Sequence, residues 1–297
     1  MPSSWPKSAP TANTSRRWST AAGCAWHLPA MGPARAALAG VRSRTAPEIG
    51  IALAALREAA GEARLVGEVY VPSTALAAYL EHLDLAFAFE FLHAPWNAEA
   101  MSRAIGPAAA LEGIAWVLSN HDFPRLATRL GERAARAAAV LLLTLPGAAF
   151  VYQGDEIGIA DGPEGDPPRD RAGRDRHRNP MYWEPGPQGG FTKGEPWLPL
   201  ADPAPASVAE QRRNPGSLLH LYRRLISLRR EVRGELEPLE APAEQLAYGR
   251  GEHAIAVNFG ARPEPAPVAG EVLLASEPGW GAQLPPGGAA IIRRAWV

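Results

Sequence analysis

Cysteine, lysine, net charge and long apolar runs are all scarce in this 297-residue chain. The single cysteine, Cys24, excludes an internal disulfide and any cysteine-based zinc site. It leaves the redox compartment open and favours a reducing one. Lysine occurs only at Lys7 and Lys193, so basic character rests on arginine, beside abundant Ala, Pro and Gly. That bias reads as genomic composition. Acidic and basic residues nearly cancel, 31 against 30, so no general field exists to attract a polyanion. A nucleic-acid partner is not expected. The longest apolar stretch, Ala134 to Leu145, is interrupted by Arg136 and falls short of the roughly 18 residues a membrane span requires. A soluble protein without a membrane partner is expected, and the free cysteine together with the lack of a clear export signal points to the cytoplasm. Aspartate is also missing from the first 83 residues, the first being Asp84.

Residues 1–47 scatter Ser, Arg, Trp and Pro without a helical or strand period, and carry no acidic residue before Glu48. They are expected to be an irregular segment foreign to the fold, as a start inside a longer gene or a reading-frame slip would produce. Regular alternation begins at residue 48. Helix-forming composition at Ile49 to Ala60 gives way to a strand-like run at Ala63 to Val69. A helix at Thr74 to Leu80, an aromatic strand at Leu85 to Leu92 and a helix near Asn97 to Ile105 follow. A strand at Ile114 to Ser119, a long helix at Leu126 to Leu145 and a strand at Ala149 to Gln153 complete the series. Repeated βα units predict an α/β fold with parallel strands and covering helices.

From Gly154 to about Gly216 the chain is rich in Gly, Pro, Asp and Arg and nearly aperiodic. Loop excursions of that length are usually functional. Leu218 to Arg230 places Leu218, Leu221, Leu225 and Leu228 on one helical face. Beyond Arg233, short apolar pieces at Gln245 to Tyr248, Ala254 to Phe259, Val272 to Leu274 and Ala289 to Ile292 alternate with Gly and Pro turns, predicting a small antiparallel β-domain over 234–297. Residues 48–233 are expected to form the domain before it.

Polar clusters follow apolar runs directly at three strand ends: Glu68 in LVGEVY, His121 and Asp122 in WVLSNHDFPR, and Asp155 and Glu156 in FVYQGDEIG. In a barrel of parallel strands these positions gather on the C-terminal face, where such folds build active sites. Two carboxylates brought together there suit glycoside cleavage, in which one donates a proton and another carries negative charge opposite a developing cation.

These segments resemble the α-amylase superfamily, glycoside hydrolase family 13. LVGEVYVP resembles its general acid/base segment, SNHDFPR its transition-state aspartate segment and FVYQGDEIG its last barrel strand, in the family's order. EFLHAPW, RDRAGRDRHRNPMYW and GGFTKGEPWLPL look like the α-glucosidases and oligo-1,6-glucosidases of that family. The resemblance covers about residues 48–297. It implies the C-terminal half of a (β/α)8 barrel over 48–233, followed by the small β-domain. It also implies Glu68 as general acid/base, Asp122 as transition-state stabiliser, His121 at the same sugar ring, and Arg125 contacting substrate or orienting a carboxylate. Asp155 and Glu156 are expected to stabilise the barrel rim, and Trp96, Trp183 and Trp197 either to stack on sugars or to pack in the core.

Two departures qualify the implied activity. The family's nucleophile lies in a motif resembling Gly-Phe-Arg-x-Asp on the strand before the acid/base, and an earlier strand supplies a further histidine. Neither motif occurs in the 297 residues. The expectation is therefore a retaining α-glucosidase by family, acting on oligosaccharide or disaccharide α-glucosides, truncated and lacking its nucleophile. A missing N-terminal barrel half is its expected partner. An inactive fragment with at most sugar binding is the alternative, and a trehalose-forming isomerase or sucrose-type transglucosidase is the rival within the enzyme class. Neither a cofactor nor a metal is implied, because acid/base chemistry on acetals needs none and no cluster has metal-ligand spacing.

Overall fold

The computed structural model describes residues 49–201, 204–278 and 283–295. The irregular segment assigned to 1–47 lies outside the described residues. The first helix, α1, spans Ile49–Ala60, and then βα units follow in chain order. These are β1 (Val66–Gly67), α2 (Ser73–Leu80), β2 (Leu85–Phe87), α3 (Phe89–His93), α4 (Ala98–Ala109), β3 (Ile114–Val117), α5 (Leu126–Thr144) and β4 (Ala148–Phe150). The four strands pair in parallel in the order β1-β2-β3-β4, with Val66 opposite Leu85, Ala86 opposite Ile114 and Ala115 opposite Ala148. Sequential parallel neighbours with intervening helices are the arrangement of a (β/α)8 barrel, of which this sheet is an arc.

Glycines set the starts of two strands. Gly113 (φ +78°) and Gly147 (φ +89°) lie immediately before β3 and β4. A Cβ at Gly113 would lie 2.8 Å from the Asp84 carbonyl oxygen, and one at Gly147 would lie 2.5 Å from that of Ile114. Each strand thus enters the sheet by pressing bare backbone against the start of its neighbour. Asp84 fixes the same end at β2. Its carboxylate accepts from the Leu65 amide (2.7 Å) and from Arg57 (2.5 Å) and Arg64 (2.8 Å), which hold it well below the usual carboxylate range.

The strands are shorter than the apolar runs that announce them. At Leu85 to Leu92 the expected strand ends at Phe87, and Phe89–His93 turn into α3. Tertiary packing overrides the aromatic strand preference here. Phe91 enters the main core edge-on to fully buried Trp116, with centroids 5.2 Å apart, whereas Phe89 and Leu92 join a separate cluster with Val117. The Glu90 carboxylate caps the neighbouring helix by accepting from the Ser73 amide at 2.7 Å. Helix α4 is capped in the same manner, with Asn97 Oδ1 accepting from the Ala100 amide at 2.8 Å. Helix α5 breaks at Gly131 (φ 74°, ψ 169°), and its second part buries a continuous alanine and leucine face.

The excursion after β4 is held by its own small core, built around Ile157, Ile159, Met181 and Tyr182. Besides three short 3-10 turns, it contains one α-helix that aperiodicity concealed, α6 (Val208–Arg213). Its start was legible as Ser207 and Glu210, which form a reciprocal capping box. Helix α7 (Leu218–Leu228) then buries Leu218, Leu221 and Leu225, as the periodicity predicts.

Strands β5 (Leu236–Pro238), β6 (Gln245–Arg250), β7 (His253–Asn258), β9 (Gly270–Ala275) and β11 (Ala289–Arg294) form an antiparallel sheet in the order β5-β6-β7-β11-β9. Strands β8 (Glu264–Pro265) and β10 (Gln283–Leu284) pair beside it. This sheet shares the main core with the barrel arc, since Tyr248, Ile255 and Ile291 pack in one cluster with Leu141 and Trp116. Polar ties cross the same boundary. The Thr144 and Tyr248 hydroxyls lie 2.6 Å apart, Arg250 donates to the Thr144 carbonyl at 2.7 Å, and Arg136 donates to the Ser276 carbonyl at 2.6 Å. Among the described residues no helix is long and apolar enough to cross a membrane.

Candidate active site

Three strand ends meet at the C-terminal edge of the arc. Glu68 follows β1 by one residue, the segment Ser119–Asp122 follows β3, and Val151 and Tyr152 follow β4. Glu68, His121, Asn120 and Tyr152 line one cleft of about 160 Å³, whose floor is the apolar group Phe87, Phe89 and Val117. Glu68 is exposed at its wall. The structure thus brings Glu68 and His121, from two different strand ends, to a single cleft.

Tyr70 stands beside Glu68. Its ring stacks on Phe89 with centroids 4.1 Å apart and planes 5° from parallel, and its hydroxyl lies 3.4 Å from Glu68 Oε1. Burial pushes the Tyr70 hydroxyl up to about 12, and the negative charges of Glu68 and Asp122 push it the same way. Tyr70 therefore remains a neutral donor at any ordinary pH. Sequence alone gives it no role, although its position two residues after Glu68, on the same side of an extended segment, is the available signal.

Asp122 is placed by its own loop and by the excursion. Asn120 Oδ1 accepts from the amides of Asp122 (2.9 Å) and Phe123 (3.1 Å), closing the turn after β3. Asp122 Oδ1 then receives three cationic or polar neighbours: Arg174 Nη1 at 2.7 Å, His121 Nε2 at 3.2 Å and Arg178 Nη2 at 3.3 Å. Arg178 also donates from Nε to the His121 carbonyl at 3.1 Å. Arg174 is itself gripped by Asp170, which accepts from Nε at 2.7 Å, from Nη2 at 2.9 Å and from the Arg174 amide at 3.0 Å. This pairing holds Asp170 well below the usual carboxylate range and raises Arg174 further. Sequence assigns neither arginine a role. Both sit in RDRAGRDRHRNPMYW, and only three-dimensional closure of the excursion brings them to Asp122.

Arg125 differs from its expected place at the substrate. Its side chain is 0% exposed, so no sugar reaches it in this conformation. It donates to the carbonyls of Gln153 (2.7 Å) and Asn179 (3.2 Å), lies over the Tyr152 ring, and its amide donates to Asp161 Oδ1 at 2.7 Å. A planar donor fork of this kind satisfies several buried carbonyls at once, and here it binds the excursion to the end of β4. The other limb of the expectation has a counterpart in Asp155. That carboxyl group is fully buried, and burial pushes it up to about 7 while the Arg125 charge and the Ser119 hydroxyl pull partly back. Glu156 turns to its own loop and accepts from the Gly154 amide at 2.8 Å.

The tryptophans divide. Trp96 packs against Phe259, with centroids 4.9 Å apart, at the edge of the core. Trp183 and Trp197, both on the excursion, are exposed. Among the described residues no group of three or more His, Cys, Asp or Glu could hold a metal ion.

Residues 43–235 match the family model "Alpha amylase, catalytic domain", and residues 237–292 match "Domain of unknown function (DUF3459)". A probable alpha-glucosidase of Rhizobium meliloti is 33% identical over 195 residues, covering 57% of this chain and 35% of that protein. An oligo-1,6-glucosidase of Halalkalibacterium halodurans is 31% identical over 214 residues, covering 57% of this chain and 38% of that protein. The chain thus spans about a third of the length of these curated relatives. Among solved structures, an isomaltulose synthase of Klebsiella sp. LX3 superposes with a TM-score of 0.74 at 21% identity, over 83% of this chain and 59% of that one. A trehalulose synthase of Pseudomonas mesoacidophila MX-45 superposes equally well, with a TM-score of 0.74 at 23% identity, over 89% and 62%.

Proposed function

Because the chain belongs to the alpha-amylase catalytic-domain family, we propose that it carries the acid/base half of a retaining α-glucoside-cleaving site. In this reading Glu68 is the general acid/base and Asp122 the stabiliser of the oxocarbenium-like transition state. The observation that carries it is the common setting of the two carboxylates, with Glu68 at the cleft wall beside His121 and Asp122 fixed to that same His121. The two carboxylates have different neighbours. Glu68 stands on an apolar floor with a neutral donor, Tyr70, at 3.4 Å. Asp122 takes its guanidinium partners on Oδ1, which leaves Oδ2 for a sugar hydroxyl.

The chemistry proceeds in two displacements. Glu68 protonates the glycosidic oxygen as the bond to the anomeric carbon breaks, and Asp122 opposes the positive charge that develops on the ring. A carboxylate nucleophile on the opposite face forms the glycosyl intermediate. Glu68 then removes a proton from the incoming water, or from an acceptor sugar hydroxyl in the transglucosidase variant of the same reaction. No residue of the 297 stands in a nucleophile motif of the family, so that group is supplied by a barrel half carrying the Gly-Phe-Arg-x-Asp segment. The substrates are short α-linked glucosides, as the names of the similar α-glucosidases and sucrose-converting synthases suggest.

The test is complementation. The chain alone is expected to hydrolyse p-nitrophenyl α-glucoside no faster than its Glu68→Gln variant. Co-expression with a half-barrel bearing the nucleophile is expected to give activity that Glu68→Gln and Asp122→Asn each remove by several orders of magnitude. Turnover by the isolated chain well above the Glu68→Gln control would overturn the reading of a half site that lacks its nucleophile, because it would require a nucleophile among these residues. Saccharide binding without turnover in the complemented pair would favour the reading of a sugar-binding fragment.

A further inference from the structure

We propose that a pocket on the excursion, built around Trp197, binds a neutral hexose unit of an α-glucoside at a site separate from the Glu68 cleft. Trp197 is 64% exposed, the most exposed large aromatic side chain among the described residues, in a segment that also exposes Trp183 and Phe191. Isolated surface aromatics need no explanation, but this one lines a depression of about 440 Å³. That volume falls in the range of about 300–1,000 Å³ used for small ligands. None of its lining residues belongs to the cleft of Glu68 and His121.

The rest of the lining sets the ligand chemistry. Glu164, Asp166 and Glu195 contribute carboxylates, and Arg169 and Gln188 contribute donors. A hexopyranose presents one apolar C–H face, which lies on an indole, and a rim of hydroxyls that both donate and accept. Three acceptors and two donor side chains around one exposed indole match that combination. A purely apolar ligand would desolvate the charged groups without replacing their hydrogen bonds. An anion would meet three carboxylates against one guanidinium.

The pocket walls are fixed before any ligand arrives. Fully buried Asn179 donates from Nδ2 to the Pro163 carbonyl at 3.3 Å on one wall and to the Pro199 carbonyl at 2.9 Å on the other. Its Oδ1 accepts from the Gly162 amide at 2.8 Å. A Cβ at Gly162 would fall 2.5 Å from that side-chain amide, so glycine is what permits the approach. Buried Asp175 accepts from the Arg169 amide at 2.6 Å and holds the third side. Walls tied in this way lower the ordering cost of binding.

The choice of an α-glucoside as ligand rests on the proposed function, whereas the pocket itself does not depend on the roles of Glu68 and Asp122, and the test separates the two. The 297-residue chain is titrated with maltotriose and isomaltotriose by calorimetry, with sorbitol as a linear polyol control. Saturable binding of at least one trisaccharide is expected, with unchanged affinity in Phe191→Ala, an exposed aromatic outside the pocket lining, and a loss of about tenfold or more in Trp197→Ala. Trp197→Phe is expected to lose less than Trp197→Ala, because a smaller aromatic face remains. Unchanged thermal midpoints of the two Trp197 variants separate lost binding from lost folding. Parent-like affinity in Trp197→Ala, an equal loss of binding in Phe191→Ala, equal binding of sorbitol, or no saturable binding up to about 10 mM would each overturn the proposal. Failure of the acid/base assignment would leave these binding results untouched.

Discussion

Arg174 Nη1 lies 2.7 Å from Asp122 Oδ1, while the other two nitrogens of the same guanidinium hold the two oxygens of Asp170 at 2.7 and 2.9 Å. One planar fork thus joins the excursion to the turn after β3. Since a charge-assisted hydrogen bond contributes about 1.5–3 kcal/mol, its loss should cost roughly 10- to 100-fold where it orients Asp122. Arg174→Gln in the complemented enzyme is therefore expected to lower kcat/KM by that factor with little change in thermal midpoint. Asp170→Asn should fall in the same direction by less, because Arg174 keeps its own bond to Asp122. Kinetics of the two variants on p-nitrophenyl α-glucoside check this.

Arg125 predicts the opposite signature. Replacing it with Met removes the donor to the Gln153 and Asn179 carbonyls and the positive charge that acts most strongly on Asp155. The expected loss is about 3 kcal/mol, or roughly 5–10 °C in Tm, visible in thermal unfolding without any sugar present. A variant with unchanged stability and a raised KM would return Arg125 to the substrate.

Asp155 gives stability a pH dependence. Its folded pKa is raised from 3.8 to about 7, so between those values the folded state binds the extra proton. The stabilisation is fully present below about pH 4 and is lost as pH rises through about 7. Denaturant titrations of the parent chain against Asp155→Asn should show the variant gaining relative stability from pH 5 to pH 8, by a few kcal/mol at most. Parallel pH profiles for the two proteins would contradict the burial argument.

Gly147 is where helix α5 turns into β4. With φ at +89° and the Ile114 carbonyl oxygen only 2.5 Å from where a Cβ would stand, Gly147→Ala should destabilise the chain by about 2 kcal/mol or more. Gly50, which has open space around it, is the control position. Equal stability of Gly147→Ala and Gly50→Ala in urea would show that the backbone there relaxes freely.

What could be read in the sequence follows from which forces are local. The alternation of helices and strands and the antiparallel tail were legible because each element carries its own period and its own turn residues. Glu68, His121 and Asp122 stood out as candidates because each breaks an apolar run at its C-terminal end. The division of Leu85 to Leu92 at Ala88 was not legible, because Phe89 and Phe91 serve two different clusters and only packing distinguishes them from a strand. The burial of Arg125 was not legible for a related reason: an arginine three residues after Asp122 looks exposed to the site until the excursion folds over it. Arg174 and Arg178 reach Asp122 across 52 and 56 residues of chain, a distance no local signal spans.

The most direct measurement of the central claim is chemical rescue of Glu68. With an activated p-nitrophenolate leaving group the first displacement needs little proton donation, whereas the second needs a base to activate water. Glu68→Ala in the complemented enzyme should therefore hydrolyse p-nitrophenyl α-glucoside slowly, and sodium azide, an anionic nucleophile that needs no base, should restore turnover with formation of an α-glucosyl azide. Asp122→Ala should show no such rescue. Absence of azide rescue in Glu68→Ala, or equal rescue in Asp122→Ala, would contradict the assignment of Glu68 as the acid/base.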